Sequence, residues 1–581
     1  MQRQPERHTR FLIMHLRAQR AKLSLLAVVL LGNVGLQLVS PLILRRFIDA
    51  VAARSTTLTG LTTLSILFIG VALVAQVTAV LETSVAEDVA WTATNRLRCD
   101  LARHCLSLDM SFHTAHLPGE IIERIDGDVA LLANVFSRFV LQVLASLLLL
   151  VGTIVILLRV EWRIGVTFAL FALAGLAVLA RMRTLAVPAA HADRETSAAL
   201  FGYLEERLAG TEDVRARGAV AYVLRGLSVA MRARLHARRR AAALTTLTFG
   251  TMDVVFAVGT ALAFAVGAAL FHARAITLGT VYLFVTYSWL ITQPLALLAQ
   301  QMQDVQVAVA GIERIQRLFT TTSVVRDGPG ASLPASELAV AYDRVSFAYA
   351  AGTPVLRDVS FALPAGRVLG VLGRAGSGKT TMTRLLLRLY DPTAGAVRLG
   401  GVDLRATRQA DVRARVGLVT QDVQLIAGSV RDNLTFYDRT IPDARILEAL
   451  RTLGLGAWYE ALPTGLDTEL PAGGQGLSAG EAQLLAFARV FLKDPSLVIL
   501  DEASSRLDPA TERLIERAID ALLCGRTGII VAHRLATVQR ADDILILDGG
   551  RIVEHGPRVA LAQDPASRFA HLLAVGLEGV V

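Results

Sequence analysis

Six apolar runs in the first three hundred residues set the solvent in which this chain folds. The first extends from about residue 22 to 44, and others lie near 58–81, 135–158, 163–180, 244–271 and 276–299. A bilayer core is crossed by roughly 20 apolar residues of helix. No water is available there for unpaired N–H and C=O groups, so each span must satisfy its own backbone as a helix. Six membrane helices are therefore expected, with the Thr-rich run at 58–81 the weakest. A hydrophobic content of 53% and a mean hydropathy of +0.50 agree. Arg3, Arg7, Arg10, Arg17, Arg20 and Lys22 precede the first run. That run is too long for the core of a signal peptide, so it reads as an uncleaved first helix.

The net charge of +9 is almost entirely arginine, because Lys occurs only at 22, 379 and 493. A nucleic-acid partner would need the excess on a soluble face, and six spans exclude that class. The arginines report topology instead. Twelve lie in 181–243, against one in the 272–275 turn. Positively charged loops stay on the cytoplasmic side, which places 82–134, 181–243 and both termini there. The charged inner intervals have helical patterning and should continue the membrane helices into the cytoplasm. Among ionisable residues inside the spans Asp253 is the main exception, with Asn33, Gln37, Gln76 and Gln293 as neutral companions. A membrane carboxylate is costly unless it faces protein or water, so Asp253 is a candidate substrate contact. Cys99, Cys105 and Cys524 share no spacing that suggests a disulfide or metal site.

From 321 to 336 the pattern dissolves into TTSVVRDGPGASLPAS, read as a linker between a membrane domain (1–320) and a second domain (337–581). Short β-branched runs then alternate with helical patterns, as in an α/β fold. VLGVLGRAGSGKTTM reads as strand, glycine-rich loop and helix, and holds G-x-x-x-x-G-K-T from Gly373 to Thr380. This is a phosphate-binding loop: Gly376 and Gly378 let backbone N–H groups close on phosphates. Lys379 reaches the outer phosphates and Thr380 offers a hydroxyl to Mg²⁺, with Ser377 and Thr381 beside them. Downstream, LSAGEAQLLAFARVFLKDPSLVILDE at 477–502 runs from a helix into a buried apolar strand. Ser478 and Glu481 have capping-box spacing. The strand delivers Asp501 and Glu502 at its carboxyl end, where α/β sheets bind ligands. Asp501 would hold Mg²⁺ through water and Glu502 would polarise the attacking water.

These motifs resemble the ABC transporters, specifically exporter-type half-transporters that fuse a six-helix membrane domain to an α/β P-loop ATPase domain. LSAGE at 477–481 matches the family signature, usually LSGGQ. Tyr349 in FAYAAGTPVL is similar to the aromatic that stacks on adenine. Gln421 resembles the Gln that joins Mg²⁺, and His533 the switch histidine on the γ-phosphate. SSRLD resembles the loop joining the two sites and ends in Asp508. SFHTAHLPGEIIERIDGDV (111–129) and LEERLAG (204–210) resemble the two coupling segments. The resemblance implies a dimer in which each ATP lies between one chain's phosphate loop and the other's Ser478, Gly480 and Glu481. It implies ATP-driven export of a hydrophobic or amphipathic drug, lipid or peptide by alternating access, in a bacterial plasma membrane.

Two letters depart from the pattern. Ala479 replaces the usual Gly, and Glu481 replaces Gln. An added methyl costs about 1 kcal/mol if the backbone there is left-handed. The departures favour a heterodimer, in which the site completed by LSAGE is slow, over a homodimer. An importer of the same architecture and an ATP-gated, channel-like subunit are the alternative functions; Glu502 and His533 weigh against the second.

Overall fold

The computed structural model describes residues 19–54, 56–134, 140–335, 338–350, 352–501, 509–532 and 535–575. The chain forms two compact units. One comprises Met1–Leu106 with Pro118–Thr321, the other Ser107–Leu117 with Thr322–Val581.

The first unit is helical. Its long helices are α1 (Arg20–Ala52), α2 (Leu58–Ser107), α4 (Val140–Val160), α5 (Trp162–Ala209), α6 (Val220–His272) and α7 (Leu278–Thr320), with the short α3 (Met110–Ala115) belonging to the second unit. Five of them are long and apolar enough to cross a bilayer, while the apolar part of α7, Leu278–Thr292, is shorter. The charged inner segments do continue the apolar ones without a break. At 48 and 53 residues, α5 and α6 extend about 72 and 80 Å, more than twice the ~30 Å of hydrocarbon.

Aromatic and branched side chains fill the interior: Leu157, Phe168, Leu283, Phe284, Tyr287 and Ile291 are almost fully buried. The one phenol in this set donates to the Leu38 carbonyl at 2.7 Å, as a buried hydroxyl must. Outward, Ile66, Leu73 and Val77 on α2 are 59 to 70% exposed, a surface suited to lipid rather than water. Asp128, nearly inaccessible, is held by both arms of the Arg314 guanidinium near the end of α7. Breaking such a pair strands a buried charge.

The second unit is the α/β domain expected. Its strands are β1 (Val340–Phe347), β2 (Leu356–Leu363), β3 (Val368–Gly373), β4 (Ala394–Leu399), β5 (Val402–Asp403), β6 (Val416–Val419), β7 (Gly428–Ser429), β8 (Glu469–Leu470), β9 (Leu497–Asp501), β10 (Thr527–Val531), β11 (Asp543–Asp548) and β12 (Arg551–Pro557). The helices that matter here are α8 (Lys379–Leu386), α9 (Ala479–Lys493) and α10 (Pro509–Leu523). One sheet has the order β2-β1-β4-β5 and is antiparallel. The larger has the order β12-β11-β3-β10-β9-β6, parallel except for β12. Parallel strands are covered on both faces, and Leu497–Leu500 is accordingly buried throughout. Because β10 and β11 flank β3 on opposite sides, the connections diverge at its carboxyl end, which is where such folds bind ligands.

The 107–117 segment is fastened to the second unit by one carboxylate. Asp109 caps α3 by accepting from the Ser111 amide at 3.0 Å. It also accepts from Ser323 Oγ at 2.8 Å, the Val325 amide at 3.1 Å and the Val324 amide. Thr114 and Tyr390 share a hydroxyl contact of 3.2 Å beside it. Of the stretch 111–129, residues 111–117 belong to the second unit and 118–129 to the first. The linker is also packed: the amides of Gly328 and Gly330 bond the carbonyls of Thr407 and Ala406 at 2.9 and 3.0 Å.

Burial alone would raise the Asp109 carboxyl, but the bonds from Ser111, Ser323, Val325 and Val324 outweigh it and hold the group at about 2, below its usual 3.8. A depressed native value stabilises the fold above the ordinary carboxylate range and is lost as pH falls through that window. Asp109→Asn should loosen this clasp, with roughly tenfold faster amide exchange at Val324 and Val325 near neutral pH. The melting difference between variant and parent should vanish as pH drops from 3.8 toward about 2.

Candidate nucleotide site

The glycine loop begins where β3 ends. Gly373, Gly376 and Gly378 have φ of +149°, +77° and +108°, a region that side chains with a Cβ avoid. At Gly373 a Cβ would also lie 2.2 Å from the Leu547 carbonyl oxygen, while the space over Gly376 is open. The loop is thus forced into left-handed turns that point successive N–H groups inward, an anion cradle. It feeds directly into α8, whose first-turn N–H groups add to the positive end.

Lys379, 6% exposed, folds over its own loop and donates to the carbonyls of Gly373 at 2.6 Å and Arg374 at 3.2 Å. Ser377 is 4% exposed, and its Oγ has no hydrogen-bond partner among the described residues. A buried hydroxyl without a partner costs about 1–3 kcal/mol, which a phosphate oxygen in the cradle relieves. The residues present therefore fit the triphosphate of ATP. Thr380 is exposed at the start of α8, and Thr381 is buried.

Tyr349 is 44% exposed, so one face is free to stack. Its ring stands edge-on to Phe347 and Tyr390, with centroids at 4.9 and 5.2 Å. The phenol oxygen lies 3.1 Å from Thr381 Oγ1 and accepts from Arg384 at 3.2 Å. Thr381 thus orients the tyrosine through its hydroxyl. Arg384 was not singled out by the sequence, although its place one helical turn after the loop was a usable signal.

Parallel register brings the remaining residues to the same edge. Asp501 lies level with Val531 on β10, and Val531 with Val371 on β3. Leu500 is level with Val419, which puts Gln421 just past the end of β6. Gln421 is exposed. Asp501 and Thr380 offer the hard oxygen donors Mg²⁺ takes. Among the described residues no cluster of three acidic, His or Cys side chains could hold a metal. Glu502, Asp508 in the 504–508 loop, and His533 lie outside the described residues.

The signature helix forms as its spacing predicts. Ser478 Oγ accepts from the Glu481 amide at 3.2 Å, and Glu481 Oε2 accepts from the Ser478 amide and hydroxyl at 2.7 and 2.8 Å. Ala479 is the first residue of right-handed α9, so the left-handed penalty considered for its methyl does not arise. Gly480 is the constrained position: a Cβ there would lie 2.0 Å from Thr511 Cγ2 on α10.

In the membrane unit, Asp253 is exposed on α6. The sequence missed Glu82, just past the predicted 58–81 span. In the unbroken α2 it accepts from Asn33 Nδ2 at 2.7 Å, and Gln37 donates to Asn33 Oδ1 at 3.3 Å.

Comparison with known proteins matches this architecture. The family described as ABC transporter transmembrane region covers residues 23–295, and the family described as ABC transporter covers 356–505. The chain is 31% identical to YfiC of Bacillus subtilis (strain 168), described as an uncharacterized ABC transporter ATP-binding protein, over 79% of this chain and 76% of that one. It is 31% identical to a fatty acid ABC transporter ATP-binding/permease protein of Mycobacterium bovis, over 80% and 74% of the two chains. A solved bacterial Atm1-family ABC exporter with ATP bound superposes with a TM-score of 0.79 at 25% identity, covering 96% of this chain and 98% of that one. The chain belongs to the ABC transporters, as a half-transporter that fuses membrane and ATPase domains. It is an ATPase coupled to transport.

Gly480→Ala should destabilise the signature helix, because the new methyl has no space beside Thr511. Removing the obstructing methyl in Gly480→Ala/Thr511→Ser should restore most of the lost melting temperature and ATP turnover; no recovery would show that the glycine serves something other than packing.

Proposed function

We infer that the protein exports a hydrophobic or amphipathic compound across the bacterial plasma membrane by alternating access. The observation that carries the ATP-driven part is the glycine cradle at β3 with its unsatisfied Ser377 hydroxyl. Six spans, α7 included, put both termini in the cytoplasm, in agreement with the arginine-rich inner segments. A fatty acid transporter among the relatives supports an amphipathic cargo.

In this reading Lys379 leaves its two loop carbonyls and pairs with the β- and γ-phosphates. Ser377 and the loop amides hold the remaining oxygens, and Tyr349 stacks on adenine with Thr381 and Arg384 fixing its ring. Thr380, Gln421 and Asp501, the last through water, would hold Mg²⁺, which neutralises phosphate charge when bound. Glu502 polarises the attacking water and His533 holds the γ-phosphate edge. The second chain supplies Ser478, Gly480 and Glu481 across the dimer interface, with Asp508 between the two sites. Asp253 is the candidate substrate contact.

A second half-transporter is required, as a copy or a different subunit. The two departures that favoured a heterodimer are accommodated locally, since Ala479 is helical and Glu481 completes the cap. Turnover by the chain purified alone decides the point. A homodimer should hydrolyse ATP in lipid vesicles, with stimulation by its cargo, and both Lys379→Ala and Glu502→Gln should reduce turnover at least a hundredfold. Background turnover without a second subunit would establish the heterodimer. Across a panel of lipids, fatty acids and cationic drugs, cation stimulation unchanged in Asp253→Asn would remove that residue from the substrate path. Ion conductance without stimulated turnover would contradict export.

A further inference from the structure

At the far end of the membrane unit, away from the arginine-rich inner segments, a cavity of about 1110 Å³ opens between the end of α1 and the α6–α7 turn. Its lining divides into two chemistries. Leu42, Phe271, Ile276 and Leu278 give an apolar wall, and Phe271 and Leu278 are 47% and 49% exposed. Arg45, Arg46 and Arg274 stand beside them, with Asp49 the single acid of the lining.

That acid is already engaged. Asp49 Oδ1 accepts from the Gly279 amide at 2.8 Å and Oδ2 from Thr277 Oγ1 at 2.9 Å, capping the start of α7, while Arg45 Nε lies 3.7 Å away. The side chains of Arg46 and Arg274 make no ion pair or hydrogen bond among the described residues and are exposed. Arg274 also sits at φ +54°, a left-handed position that closes the turn after α6. Glycine takes such a position more readily than arginine. Arginine is depleted from outer loops of membrane proteins, so a cluster on that side needs a reason other than topology.

We propose that this cavity binds an anionic amphiphile, with its carboxylate or phosphate head between Arg46 and Arg274 and its chain along Leu42, Phe271 and Leu278. Guanidinium groups pair with both oxyanions through two parallel hydrogen bonds. The adjoining apolar wall distinguishes a tailed anion from a free one. Two sources share this chemistry, namely cargo on its way out and an anionic lipid of the outer leaflet. The inference rests on the topology proposed above, which assigns this end to the outer face.

The test uses the full-length protein in zwitterionic nanodiscs, without ATP, and compares dodecyl phosphate with dodecyl maltoside, which has the same chain and a neutral head. Dodecyl phosphate should bind at least tenfold tighter, and Arg46→Ala/Arg274→Gly should bring the two affinities together. Glycine suits the backbone at 274 and alanine suits the helix at 46, so an unchanged melting temperature separates lost binding from damage. Equal affinities in the parent, or a preference that survives in the variant, would overturn the proposal. Phosphatidylglycerol that displaces dodecyl phosphate identifies a lipid occupant, and persistence in its presence identifies cargo; both support the site. Because no ATP is used, a negative result leaves ATP-driven export intact, and failed transport leaves the binding result intact.

Discussion

The fold of the ATPase domain depends on how one strand is allowed to end. β3 is buried between β10 and β11, and a Cβ on its last residue, Gly373, would lie 2.2 Å from the Leu547 carbonyl oxygen. Glycine resolves this by adopting left-handed angles that turn the amides inward, and α8 starts immediately afterwards. Backbone strain and phosphate affinity are thus two views of one turn. The Lys379 ammonium rests on carbonyls of the same loop, which holds the cradle in shape. Parallel pairing then brings Asp501 and the ends of β6 and β10 to the same edge.

The signature helix obeys a different logic. Its N-terminal donors could have been left for phosphate, but in this chain the Glu481 carboxylate accepts from the Ser478 amide and hydroxyl. Charge at a helix N-terminus is favourable, so the cap is stable by itself. In the proposed dimer, an ATP phosphate supplied by a second chain would have to compete for that hydroxyl, so Glu481 in place of Gln would act on the composite site through a hydrogen bond the chain makes with itself.

Much of this was legible in the sequence, and the remainder was not for identifiable reasons. The phosphate loop, the buried strand at Leu497–Leu500 and the capping box depend on local spacing, and each formed where the residues indicated. The apolar runs fall on long helices for the same reason, five of them, among the described residues, long and apolar enough to cross a bilayer. What the sequence concealed was set by contacts between distant residues. Glu82 looked like the first charge past a span until α2 proved continuous and paired it with Asn33. The clasp of Asp109 on Ser323 and Val325 joins residues more than two hundred positions apart. The contact between the Thr381 hydroxyl and the Tyr349 phenol joins residues 32 positions apart and has no signal in the sequence. The need for Gly480 is likewise invisible without Thr511.

The central claim is that the phosphate loop of one chain and the signature of another close on the same nucleotide. Amide exchange measures this directly, on the full chain isolated in lipid with any second subunit that accompanies it, with and without a non-hydrolysable ATP analogue. The account predicts simultaneous protection of residues 374–381 and 478–482. Protection confined to 374–381, in an assembly shown to be dimeric, would contradict it.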